Sequence, residues 1–417
     1  MAEQRSPQAV TLEEAQAFDV ADPLRLARDR FVLPEGVIYL DGNSLGPLPA
    51  ATMDRLREIV ERQWSGDLIT SWNKHGWIDA PARIAAKLAP LLGARPDELL
   101  IADSTTVCLF KLLASAVRAR NGRATILTED CNFPTDLYVA QGLVDLLPHL
   151  RLKSVPASEI ESAIDEHTAV VMLTHVDYRS GARHDMAAIN AAAHAKGALT
   201  IWDLSHSAGA VALDLERDGC DLAVGCGYKY LNGGPGAPAF VFVAGHLQEQ
   251  LRSPIQGWMG HAAPFAFESG YRPAPGIAAF LTGTPSIVAL AALEAGLDTF
   301  AGVSMVQVEA KAQALLNLFI GEVEARCGAE VTLASPRDPV LRGSHVSFAH
   351  PQGYAVMQAL IARGVIGDFR APDLMRFGFA PLYNRFEDAW RAAAALAEIL
   401  ATRAWDEPRF LTRAKVT

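Results

Sequence analysis

From Leu99 onward, short apolar runs recur between stretches whose apolar residues return at helical spacing. The runs occupy residues 99–102, 124–127, 169–174, 199–202, 222–224 and 240–243, and the earlier ones are separated by helical patterns over 105–119, 135–147 and 186–196. Runs this short and this apolar read as strands buried on both faces rather than as half-exposed strands. Their alternation with helices is the pattern of βαβ units, so the spacing predicts an α/β domain with a mostly parallel sheet flanked by helices.

The flanks read differently. Thr11-Leu12-Glu13-Glu14 has capping-box spacing and opens a short helix, Asp22-Pro23 opens another, and residues 37–40 form a first strand before the turn Asp41-Gly42-Asn43. Helical spacing over 50–64 follows. From about Ser286 a long Ala/Leu helix leads into strands at 331–333 and 343–349 and helices at 353–363 and 389–403, a smaller α+β domain. The expected division is residues 1–50 as an N-terminal arm and first strand packing with the small domain, 51–290 as the large domain and 291–417 as the small one.

A chain of 417 residues exceeds one ordinary core, and 50% hydrophobic with 20% charged residues describes a globular protein. No apolar run reaches the length that spans a bilayer, and residues 1–6 are polar and lack a signal core, so cytoplasmic localisation is expected. A net charge of −10 with no basic run argues against a nucleic-acid or membrane surface. The five cysteines are odd in number and show no metal-type spacing, so they read as reduced thiols and no metal is expected.

The chemistry gathers around Lys229, which lies between Tyr228 and Tyr230 in a glycine-rich turn after the apolar run 222–224. A lone lysine in so uncharged a segment is either a snorkelling side chain over a loop or an amine whose desolvation makes it a nucleophile, as in a Schiff base with pyridoxal phosphate. The second reading demands an acid for the pyridine nitrogen. Asp203, at the carboxyl end of the run 199–202, answers it, although such an aspartate also suits an ordinary turn cap. Thr174 ends another run, Phe133 and Asp136 follow the run 124–127, and open α/β sheets bind ligands beyond the carboxyl ends of their strands, so Phe133, Thr174, Asp203 and Lys229 converge. Thr105 and Thr106 open a helix whose unpaired N–H groups suit a phosphate, against the plainer reading of a Ser/Thr cap. Arg376, in an otherwise apolar segment, wants an anion: a structural ion pair or a ligand carboxylate.

Tyr39-Leu-Asp-Gly-Asn-Ser-Leu-Gly46, Asp103-Ser-Thr-Thr-Val107, Phe133-Pro-Thr-Asp136, Trp202-Asp-Leu-Ser-His206, Tyr228-Lys-Tyr-Leu-Asn-Gly-Gly-Pro-Gly236, Gln256-Gly-Trp-Met-Gly-His261 and Arg376-Phe-Gly-Phe-Ala-Pro-Leu-Tyr383 run in one order over nearly the whole chain. In these blocks the chain resembles fold type I pyridoxal-phosphate enzymes, the aspartate aminotransferase superfamily, and within it the kynureninases. The resemblance implies a pyridoxal 5'-phosphate enzyme that cleaves L-kynurenine to anthranilate and L-alanine, a reaction of tryptophan catabolism and NAD biosynthesis, with 3-hydroxykynurenine as the competing substrate. It implies Lys229, Tyr228 and Asp203 as catalytic residues, and Thr105, Thr106, Phe133, Asp136, Thr174, His206, Trp258 and Thr284 as further cofactor contacts. Arg376 and His75 become substrate contacts, although a lone histidine among aromatics as often only packs. Counterparts of Trp258 and Thr284 reach the site from a neighbouring subunit in relatives, which implies a homodimer with shared sites. The alternatives are a cysteine desulfurase or selenocysteine lyase of the same fold, for which Cys327 at a helix end is poorly placed, and a catalytically silent cofactor-binding protein.

Overall fold

A computed structural model describes residues 9–413; the polar stretch at residues 1–6 lies outside the described residues. Seven strands form the central sheet in the order Leu99–Ala102, Ala239–Val243, Leu222–Cys226, Leu199–Asp203, Thr168–Thr174, Thr125–Glu129 and Arg151–Val155. From 222–226 across to 151–155 neighbouring strands are parallel, while Ala239–Val243 runs antiparallel to both of its neighbours. All of these strands except Arg151–Val155 are buried along their whole length, as expected of a sheet covered on both faces. Arg151–Val155 is an edge strand whose charged residues stay in water, so it has no continuous apolar run to betray it.

Helix Thr105–Ala119 has its expected bounds, with the Ser104 side chain accepting from the Val107 amide at 3.4 Å. Helices Pro134–Leu146 and Met186–Ala195 also follow the pattern within a residue or so. The spacing over 50–64 becomes an α-helix at Thr52–Arg57 that widens into a π-helix over Glu58–Asp67. The expected long helix after Ser286 is two, Ile287–Asp298 and Met305–Cys327, interrupted where Gly302 takes a positive φ.

A second core gathers Leu40, Phe319, Val346, Phe348, Phe377 and Leu396. Its antiparallel sheet has the order Thr332–Leu333, His345–Ala349, Leu374–Gly378, Asp368–Arg370. Helix Met305–Cys327 joins the two bodies, burying Val308 in the first core and Leu315 onward in the second. At the amino end Thr11 and Glu14 form the capping box, and Asp22, instead of starting an α-helix, accepts from the Leu24 amide and pairs with buried Lys311 at 2.6 Å before a 3-10 turn at Arg25–Arg30. Ile38–Tyr39 pairs in parallel with Val365–Ile366, tying the first strand to the second body. Among the described residues no helix is long and apolar enough to cross a membrane, and no group of His, Cys, Asp and Glu is placed to hold a metal ion.

Candidate active site

The carboxyl ends of strands Thr168–Thr174, Leu199–Asp203 and Leu222–Cys226 open on one edge of the sheet, and the site is built there. The turn that carries Lys229 is closed by two hydrogen bonds, Gly233 N–H to the Gly227 carbonyl at 2.8 Å and Asn232 N–H to the Lys229 carbonyl at 2.9 Å, with Asn232 in the left-handed region. Gly46 donates to the Tyr228 carbonyl at 2.8 Å, and a Cβ at Gly46 would stand 2.5 Å from the Lys229 carbonyl oxygen. Only glycine lets the first turn of the chain seat on the lysine turn.

Lys229 Nζ lies 3.2 Å from His206 Nε2, 5.8 Å from the Phe133 ring centre and 6.0 Å from that of Tyr228. Asp203 is buried, and its Oδ1 accepts from the Ser205 amide at 2.7 Å. Asp136 is buried beside it and accepts from Thr174 Oγ1 at 3.2 Å, while the same hydroxyl bonds Asn132 Oδ1 at 2.6 Å. Burial raises the Asp136 carboxyl well above its ordinary range, and the neighbouring Asp203 charge raises it further, against the opposing pull of Lys229. Asp203 is likewise raised by burial and drawn back by Lys229. Burial, then Lys229 and His345, hold His206 neutral; its ring lies 5.4 Å from that of His345. Two buried carboxyl groups, both raised by burial, thus lie near Lys229 with a neutral His206 beside it. A cationic ring nitrogen at Asp203 would favour that carboxyl's ionised form and offset its burial, and Phe133 would supply an aromatic wall.

Arg376, on strand Leu374–Gly378, is 1% exposed. Its Nε reaches Asp368 Oδ1 at 2.8 Å and Nη2 reaches Asp368 Oδ2, while Nη1 donates to the Tyr178 carbonyl at 2.6 Å and Nη2 to Ser44 Oγ at 3.0 Å. The fork therefore has an internal carboxylate. Arg370 joins Asp368 at 2.7 Å, and Asp41 is pushed up to about 7 by burial and by the Asp368 charge.

Across nearly its full length the chain matches curated kynureninases. It is 51% identical to the one from Pseudomonas fluorescens over 98% of this chain and all of that protein. The same identity and coverage hold for the kynureninases of Burkholderia mallei strain SAVP1 and Burkholderia pseudomallei strain K96243. The chain belongs to the kynureninase family. The family model of the kynureninase C-terminal domain matches residues 308–396. Solved structures of similar fold include an apo cysteine desulfurase from Thermococcus onnurineus NA1, with a TM-score of 0.77 at 19% identity over 96% of this chain and all of that one. Another is a C-DES mutant with glycine covalently linked to its PLP cofactor, with a TM-score of 0.78 at 18% identity over 89% of this chain and 99% of that one. At those identities they show the fold, a fold type I architecture.

Within this kynureninase-family chain, Lys229, Tyr228, Asp203, His206, Phe133, Asp136 and Thr174 come together at the sheet edge. Thr105 and Thr106 open their helix at the carboxyl end of strand Leu99–Ala102. Among the described residues no hydrogen bond, ion pair or ring contact joins His75, Trp258 or Thr284 to Lys229. His75 Nε2 instead bonds Asp67 at 2.7 Å. Trp258 is 41% exposed and meets Phe265 edge-on at 5.6 Å, and Thr284 lines a cavity of about 200 Å³ with Asp103 and Thr282. Asn132, Asp41, Asp368 and His345 were not among the residues expected at the site. Asn132 and Asp41 lie in or beside the quoted blocks, whereas Asp368 and His345 sit on strands with no local signal.

Proposed function

We propose that the chain hydrolyses the Cβ–Cγ bond of L-kynurenine to anthranilate and L-alanine, with pyridoxal 5'-phosphate held at Lys229. The observation that carries this reading, beside the family, is Lys229 Nζ set 5.8 Å from the Phe133 ring centre beside buried Asp203 and Asp136. The cofactor supplies an electron sink for the charge that develops at the substrate's Cα. Lys229 is the residue that would hold the cofactor's aldehyde carbon and move the substrate's Cα proton. Asp203 would meet the ring nitrogen and hold a proton there, Phe133 would cover the ring face, and Asp136, Thr174 and His206 would hold the ring's edge. Thr105 and Thr106 receive the phosphate on their hydroxyls and N–H groups. The Tyr228 phenol, whose pKa is raised by burial and by Cys226, keeps its proton and donates it.

Arg376 orients the substrate's α-carboxylate, sharing its charge with Asp368. Two guanidiniums, Arg376 and Arg370, face Asp368 and a half-ionised Asp41, which leaves positive charge for that carboxylate. The exposure of Trp258 and Thr284 suits a homodimer in which they complete the partner's site, and His75 belongs to the same substrate-facing set. The proposed division keeps 51–290 as the large domain and 291–417 as the small one, which holds most of the second core, while Leu293, Leu297, Phe300 and Val308 still pack in the first; of the arm, Leu40 joins the second core and Leu24, Ala27 and Phe31 the first. Cytoplasmic localisation is part of the same reading. Cys327, raised to about 11 by burial, is the last residue of a helix that Gly328 caps and gives no support to desulfurase chemistry.

The test follows anthranilate fluorescence after mixing purified protein with L-kynurenine, beside a Lys229→Ala control and with 3-hydroxykynurenine as competitor. Release that vanishes in the control is the expected result. Cofactor-loaded protein that releases no product from either substrate would overturn it.

A further inference from the structure

Lys111 lies inside helix Thr105–Ala119 with its side chain 0% exposed. A lysine so placed is costly unless its charge is met, and its partners here join two distant segments. Its Nζ donates to Asp103 Oδ2 at 2.6 Å and to the Phe280 carbonyl at 2.6 Å. Asp103 holds a positive φ in the turn just before Thr105. The same carboxylate accepts from Thr282 Oγ1 at 2.9 and 3.1 Å. One ammonium therefore clamps the turn that leads into Thr105 and Thr106 to the loop that leads into Thr284. The helix backbone at Lys111 is tied in turn, because its carbonyl accepts from Ser115 Oγ at 2.6 Å, and that hydroxyl also lies 2.8 Å from the Arg252 carbonyl.

We propose that Lys111 is a positioning residue for the cofactor's phosphate, holding the Thr105–Thr106 helix start and the Thr282–Thr284 loop in register through Asp103. This rests on the cofactor reading above. The clamp acts on backbone that meets the phosphate and on none that meets the pyridine ring, so its loss weakens the phosphate's share of binding and spares the ring's. Thr284 belongs, in that reading, to the partner's site, so the clamp also joins the two sites of a dimer.

The experiment titrates apoprotein with pyridoxal 5'-phosphate and separately with pyridoxal, following absorbance, for the wild type, Lys111→Met and Thr282→Val, each with a thermal melt. Thr282→Val removes only a hydroxyl near the surface and keeps the test open if Lys111→Met does not fold. The expected result is a Kd for pyridoxal 5'-phosphate raised roughly ten- to a hundredfold in Lys111→Met and by less in Thr282→Val, with pyridoxal affinity unchanged in both. Wild-type affinity for pyridoxal 5'-phosphate in the folded variants, or equal losses for the two ligands, would overturn the proposal while leaving the cofactor reading intact. A wild type that takes up neither ligand would remove the cofactor reading itself, and the proposal with it.

Discussion

Replacing Arg376 by Met separates two duties of that residue. The guanidinium holds Asp368 in a fork and also donates to the Tyr178 carbonyl and Ser44 Oγ, all at a buried position. Removing one partner of a buried pair costs about 3–5 kcal/mol, because the other charge stays behind uncompensated. Arg370 remains on Asp368 at 2.7 Å, which places the loss at the lower end, about 3 kcal/mol. That is a large fraction of the 5–15 kcal/mol, roughly, that holds a domain folded. Urea unfolding of the apoprotein reads the loss directly. The double variant Arg376→Met/Asp368→Leu removes the stranded carboxylate and should recover much of the stability, since the remaining Arg370 is a third exposed and can turn to water. The substrate KM should stay raised in both variants, because the double change restores packing and no cation for the α-carboxylate. A single variant destabilised by less than about 1 kcal/mol, or a double variant no more stable than the single, would refute the reasoning.

Asp41 titrates near 7 and faces Arg376, Arg370 and Asp368, so raising the pH through 7 adds a negative charge beside the carboxylate site. KM for L-kynurenine should rise over that interval, and Asp41→Asn should flatten the profile. His175 and His345 are held down to about 3 in the folded chain, both chiefly by burial. The unfolded chain then binds protons that the folded one refuses. Stability should be complete above about pH 6.5 and fall below it towards pH 3, by about 1.4 kcal/mol per pH unit for each histidine, as read from urea unfolding against pH. His175→Asn should reduce that slope. If Trp258 and Thr284 complete a partner's site, mixing unfolded Lys229→Ala and Thr284→Ala chains and refolding them together should restore turnover that neither has alone, whereas refolding them separately should not.

The sheet was legible because its inner strands are buried on both faces and leave unbroken apolar runs; Leu199–Asp203 and Leu222–Cys226 were found to within two residues. Arg151–Val155 was missed because Arg151, Lys153 and Ser154 stay in water and break its apolar run. Lys229 and Asp203 could be paired because each ends a run on the same edge of the sheet. The partner of Arg376 could not. Asp368 stands directly opposite it across an antiparallel pair, and that juxtaposition depends on a register that nothing local in the two segments announces. The expected long helix after Ser286 failed for a related reason, since its apolar spacing continues across the break at Gly302. The clamp at Lys111 was hidden inside a correctly placed helix, because the pattern that sets a helix's faces is silent on which loop a buried amine will meet.

The first turn of the chain is strung between the two bodies like a cord with both ends knotted. At one end Leu40 donates to the Ile366 carbonyl at 2.7 Å and accepts from Gly378 at 2.7 Å; at the other, Gly46 is bonded to Tyr228 beside the lysine. Between the knots run residues 41–45, a turn closed by the Ser44 and Leu45 amides on the Asp41 carbonyl and touched by Arg376 at Ser44. Any displacement of the sheet that carries Arg376 is therefore taken up within those few residues or passed to the backbone at Lys229. The amide of Gly46 becomes a natural gauge: its rate of hydrogen exchange reports, from inside the lysine turn, how firmly the second body is seated.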